Sequence, residues 1–193
     1  MKARAEKLGT IAAVKGTMAE AHLAWAESRF SDARARLLPR LEPECVAIVK
    51  SKLLATDWIP LRCLVGIDRA IAALVGGDAE SVFRQLGRYS ATLNLGGVYK
   101  SFVAEEPHRF FEKMTLLHGR FQNFGRSAYE KTSERSGHVR IDGYEEYSPV
   151  FCMGSVGYCE GALEMMRVPG PASVREAACQ CAGDPACIFD LAW

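Results

Sequence analysis

The 193-residue chain has no apolar run approaching the roughly 18 residues that a membrane-spanning helix needs. An excess of charge is missing too: Lys plus Arg number 24 against 23 for Asp plus Glu, a formal net charge of +1. That balance argues against a nucleic-acid or anionic-membrane partner. Met1–Lys7 is charged, and Leu8–Val14 is too short, and too soon interrupted by Lys15 and Gly16, to read as a secretory signal. These absences predict a cytoplasmic protein whose seven cysteines stay reduced. Repeats, low-complexity segments and linkers are lacking, so a single domain over residues 1–193 is expected. No phosphate loop is present, because Gly96-Gly97 and Gly154/Gly157/Gly161 lack both a following Lys-Ser/Thr and Rossmann spacing. Close helix packing, with a dimer interface as one place for it, explains these glycines more simply.

What is present suffices for one sizeable core, since 49% of the residues are apolar. Thr10–Lys15 reads as a short β-type segment, after which Thr17 can cap a helix through Arg29. A short helix from Ser31 or Asp32 stops before Pro39. Leu41-Glu42-Pro43-Glu44 opens a third helix, with Val46, Val49, Leu53 and Leu54 at helical spacing. Asp57-Trp58-Ile59-Pro60 interrupts it, and Leu61 to Val75 carries a broad apolar stripe. Asp78 is expected to cap a long helix toward Ala104, although each interior glycine costs about 1 kcal/mol there. After Glu105-Glu106-Pro107 comes a helix bearing Phe110, Phe111, Met114, Leu117 and Phe121. Around Gly125 the period changes to two, and residues 127–133 and 138–144 form a hairpin around Ser136-Gly137. Pro149–Met166 is helical, and Ser173–Cys181 with Ala186–Trp193 makes a second hairpin around Gly183-Asp184-Pro185. A helical part (about 10–124) followed by a hairpin–helix–hairpin part (about 125–193) predicts an α+β fold. In it, helices pack on an antiparallel sheet of about four or five strands.

The chemistry concentrates at the C-terminus. Cys179, Cys181 and Cys187 surround one tight turn with Glu176 close by, and Cys152 lies in the preceding helix. Thiolates are strong zinc ligands, and structural sites take four cysteine, histidine or carboxylate ligands. Cys181 shares strand parity with Cys179, whereas Glu176 has the opposite parity and joins the set only through a bulge or twist. Cys45, Cys63 and Cys159 fall in helical stretches with no neighbouring base and read as buried structural thiols.

The pattern Glu176, Cys179, Gly183, Asp184, Cys187, Phe189 resembles the C-terminal signature of 4-vinyl-reductase-like domains. Trp58-Ile-Pro-Leu61, Leu86-Gly-Arg88, Gly97-Val-Tyr99 and the Cys152…Gly157…Gly161 helix look like uncharacterised bacterial paralogues carrying this domain. That family includes the sensing modules of phenol-responsive activators, shares its fold with TRAPP vesicle-tethering subunits, and has a distant likeness to haem–nitric-oxide-binding domains. The resemblance implies a TRAPP-subunit-like architecture and a structural zinc ion held by Cys152, Glu176, Cys179 and Cys187, with Cys181 the alternative ligand. It also implies an apolar ligand cavity, for which Trp58, Tyr99, Phe102, His108, Phe111, His118 and Phe121 are the candidates. His118 is the best axial candidate for haem, but Tyr129…Ser133…Arg135 is not the Tyr-x-Ser-x-Arg set that holds haem propionates. Haem is accordingly set aside.

The expected function is a non-enzymatic, zinc-stabilised sensor of a small apolar or aromatic molecule. With no DNA-binding or kinase segment in the sequence, its output is expected to pass through a homodimer or a partner signalling protein. A ligand-free scaffold subunit is the alternative, and a tetrapyrrole- or haem-related binding protein or enzyme is the third reading.

Overall fold

A computed structural model describes residues 11–193 apart from 55, 98, 105 and 144–146. The charged start of the chain, Thr10 and Tyr144 lie outside the described residues. β1 (Ala13–Lys15) leads directly into α1 (Gly16–Glu27), followed by α2 (Ala33–Leu37) and α3 (Pro43–Lys50). β2 (Trp58–Pro60) precedes α4 (Leu61–Val75), α5 (Ala79–Gly96), α6 (Pro107–Leu116) and α7 (His118–Phe121). β3 (Arg126–Ser133) and β4 (Ser136–Asp142) come next, then α8 (Pro149–Met166), β5 (Ser173–Ala178) and β6 (Cys187–Ala192).

The last four strands form an antiparallel sheet in the order β3-β4-β6-β5, while β1 and β2 pair separately. This is the α+β arrangement that the change of period around Gly125 predicts. One face of the sheet is apolar because its register aligns like with like: Val139 opposes Phe189 and Ile141 opposes Cys187, all four buried. The helices cover that face.

α1 is buried nearly all round, with Ala19, Leu23 and Ala26 fully enclosed, so it runs through the core instead of presenting one apolar stripe. Asp78 caps α5 as its position predicts, accepting hydrogen bonds from the backbone N–H groups of Glu80 and Ser81, each at 3.2 Å. The helix does not reach Ala104. It stops at Gly96-Gly97, where the second glycine leaves helical dihedrals (φ −104°, ψ −118°), and a 3-10 turn covers Lys100–Ala104. α3 likewise ends at Lys50, leaving Leu54 exposed beyond it.

Cys45 and Cys63 are joined in a disulfide, which corrects the expectation that all seven cysteines are free. α3 packs against α4 and brings the two Cα atoms to 5.1 Å, inside the range a disulfide spans. Sequence position alone gives no sign of that approach.

α5 and α8 cross at backbone contact. A Cβ on Gly87 would lie 1.9 Å from the Gly154 carbonyl oxygen, and one on Gly157 would lie 2.0 Å from that of Arg84. Gly87 and Gly157 are therefore consumed by packing within the chain. Glu160, on α8 and almost fully buried, accepts hydrogen bonds from both Arg84 and Arg88 of α5, which straps the crossing on its outer side. In a helix Gly→Ala ordinarily stabilises by about 1 kcal/mol, but here the added carbon meets a main-chain oxygen that cannot swing aside. Gly157→Ala is expected to destabilise the fold by about 1–3 kcal/mol net. Chemical denaturation checks this; a midpoint equal to or above wild type would refute the contact.

Candidate functional site

The first group sits where α8 meets the end of the sheet. Cys152 comes from the first turns of α8, Glu176 from β5, Cys179 from the residue after β5, and Cys187 from the start of β6. Pairing of β5 with β6 shifts register between Glu176 and Ala178, the irregularity needed to bring Glu176 and Cys179 to the same side. The ligand atoms of all four residues lie within 4.8 Å of one another. The Cys152 sulfur is 3.7 Å from that of Cys187 and 3.9 Å from that of Cys179. Asp184 shapes the turn by accepting the Cys179 backbone N–H at 2.8 Å. Cys181, in the 3-10 turn, is exposed and stays outside the group of four.

The thiols are inequivalent. A hydrogen bond from the Cys152 thiol stabilises the Cys187 thiolate and lowers its pKa to about 7. The same bond raises that of Cys152, and burial raises that of Cys179 to about 12. Glu176 Oε1 is buried with no hydrogen-bond partner among the described residues. Three sulfurs and one carboxylate make a donor set able to hold one thiophilic divalent cation.

The second group is a cavity of about 170 Å³ between the helices and the apolar face of the sheet. Phe110 and Phe111 of α6, Phe151 of α8, and Val139 and Phe189 of the sheet supply apolar wall. Polar groups enter from the opposite side. His22 of α1 and Asp68 of α4, both 4% exposed, meet with Nδ1 2.6 Å from Oδ1. Ser90 of α5 is equally buried, and its hydroxyl has no partner among the described residues. Sequence reasoning missed all three. The available signal was a polar side chain at an otherwise apolar helix position, and it did not reveal that the three share a cavity.

Of the expected cavity residues, Phe111, His118 and Phe121 line this space and four do not. Trp58 lies on β2, 43% exposed, under the Lys15 ammonium at 4.1 Å. Tyr99 and Phe102 pack on each other, and Tyr99 on Phe121, outside the cavity lining. His108 is locked by Tyr129 Oη on Nδ1 (2.7 Å) and by the Glu134 carbonyl on Nε2 (2.9 Å). Arg135 is also committed, donating to the Pro169 carbonyl.

His118 does not present an open nitrogen. Its Nε2 lies 2.9 Å from the Phe124 carbonyl, and the Gln122 side chain covers the ring. Burial lowers its pKa against the opposing effect of those carbonyl contacts. The folded chain therefore keeps His118 neutral where the unfolded chain protonates it, so unfolding takes up a proton below about pH 6.5 and stability falls as pH drops through that region. Thermal melts between about pH 7 and pH 5 are expected to show a loss that His118→Asn lacks; parallel pH profiles would refute it.

No protein-family model and no curated protein matches the chain. Solved structures do match. A domain studied for haem distortion in the H-NOX family is 12% identical, covering 93% of this chain and 94% of that one, with a TM-score of 0.70. An H-NOX protein from S. oneidensis in its Fe(II) state, a triple mutant, is 12% identical over 92% and 95%, with a TM-score of 0.70. An oxygen-binding H-NOX domain related to soluble guanylate cyclases is 12% identical over 92% of each chain, with a TM-score of 0.66. At such identities the likeness shows the fold, and it agrees with the distant relation to haem–nitric-oxide-binding domains drawn from the sequence. It overturns the expectation of a zinc-stabilised apolar-ligand sensor with haem set aside, because the neighbours are haem proteins and nothing shows zinc.

Proposed function

We propose that the chain is a ligand-binding sensor domain whose cavity takes a tetrapyrrole of the haem type. The observation that carries this reading is the aromatic-walled cavity in a fold shared with haem-binding domains. The flat rings of Phe110, Phe111 and Phe151 suit the face of a macrocycle and exclude water from it. The open space of about 170 Å³ is smaller than the ring. No Lys or Arg lines the cavity among the described residues, so no cation there would pair with the group's carboxylates. The aromatic walls suit the ring, whereas the open space and the lack of a cation in the lining do not. When bound, it supplies an iron centre that accepts small diatomic ligands. The chain's part is to bind, orient and dehydrate it, with no catalysis, and to pass occupancy to a partner protein or a second copy. Titration of the purified full-length chain with hemin is expected to give one saturable equivalent and a Soret band distinct from that of free hemin. Absence of saturable binding would sink the reading.

The 4-vinyl-reductase-like signature of the hairpin supports a separate proposal, that Cys152, Glu176, Cys179 and Cys187 hold a thiophilic divalent cation. The convergence of four ligand atoms and the unpartnered Glu176 oxygen favour it. Cobalt(II), used as the probe, is expected to produce thiolate charge-transfer absorption at one equivalent in wild type and not in Cys187→Ser. A featureless titration of wild type would exclude the site.

A further inference from the structure

Cys181 is the residue of the C-terminal hairpin that packing explains least. It lies in the 3-10 turn between β5 and β6 and is exposed, at a kind of position that ordinarily carries serine, asparagine or glycine. An exposed thiol buries little apolar surface and is open to oxidation. Yet the Cys181 sulfur lies in hydrogen-bonding contact with those of Cys179 and Cys152. The backbone N–H of Cys181 donates to the Cys179 sulfur, as that of Gln180 donates to the Cys187 sulfur at 3.4 Å.

The group of four beside it is layered. Cys187 is fully enclosed and Cys152 is 2% exposed, whereas Glu176 and Cys179 are half-buried. An ion arriving from solvent therefore meets the turn before it meets the inner sulfurs. Cys181 stands on that outer side, in contact with one outer and one inner member of the group. It does not belong to the converged set itself, so it is not needed to hold a cation once the set is complete.

We propose that Cys181 is the entry and exit ligand of the thiophilic cation site, a role that rests on the cation reading of this cluster. Cys181 and Cys179 take the ion from solvent, and Cys152, Cys187 and Glu176 then draw it inward. A centre of the zinc type can expand from four ligands to five, so each new sulfur bonds before an earlier one lets go. Each cysteine releases its thiol proton to water as its sulfur bonds, and Cys181 regains one when it lets go. Because Cys181 is bonded in neither end state, it speeds loading and unloading by the same factor and leaves the affinity unchanged. A permanent ligand would instead change the affinity, and a residue that only shapes the turn would change neither rate.

The test uses the full-length chain with cobalt(II) as the probe. Cys181→Ser is expected to reach the wild-type thiolate charge-transfer spectrum and affinity, with the band appearing about 10-fold more slowly in stopped flow. Loss of the band to EDTA is expected to slow by the same factor, and Cys181→Ala to behave alike. Should neither variant fold, wild type loaded with cobalt and then treated with iodoacetamide decides: Cys181 is alkylated, the spectrum stays and unloading slows. Wild-type rates after either change overturn the proposal. So does a weakened affinity or a diminished charge-transfer band, which would make Cys181 a permanent ligand. Those results leave the cation reading standing, whereas a featureless titration of wild type overturns both.

Discussion

The backbone contact between α5 and α8 is the constraint on which the rest of the structure depends. Glycines at 87 and 157 let the two main chains touch, and no side chain could occupy those two positions without separating the helices. Because α8 is held so close, its first turns reach the end of the sheet, where Cys152 meets Cys179, Glu176 and Cys187. Phe151, Tyr158 and Cys159 of α8 line the cavity, and α5 delivers Ser90 to it. One helix crossing thus positions both functional groups, and the Glu160 clamp on Arg84 and Arg88 keeps it in register.

The two groups have opposite physical character. The cysteine group is local: three of its four members come from one hairpin, and a single register shift in β5 sets their geometry. It is rich in donors for a soft cation and poor in space. The cavity is assembled from distant elements and is mostly apolar, with polar side chains entering from several of them, among them His22, Asp68, Ser90, His118, Ser127 and Ser155.

Much of this was legible in the chain itself. Both C-terminal hairpins and the α8 helix follow from a change of period and from Gly and Pro punctuation, which are local signals. The approach of Cys179 to Cys187 is legible for the same reason, because a tight turn brings nearby residues together, whereas Glu176 entered only through the family resemblance. Trp58 was misplaced because an aromatic residue looks the same in sequence whether it faces a cavity or lies under Lys15 on an exposed strand. His118 was favoured for its aromatic neighbours, although its ring nitrogens are committed to the loop beside it.

By itself the sequence determined the α+β class, the order of the later elements and the cysteine-bearing hairpin, since each rests on interactions between residues near in the chain. Only the tertiary structure decided which polar side chains share the cavity and which cysteines pair. His22 and Asp68 are 46 residues apart and Cys45 and Cys63 are 18 apart, on helices whose mutual approach is set by packing. Periodicity reports which face of a helix is buried. It carries no information about what that face meets, and His22 meets Asp68 only because α1 and α4 pack together.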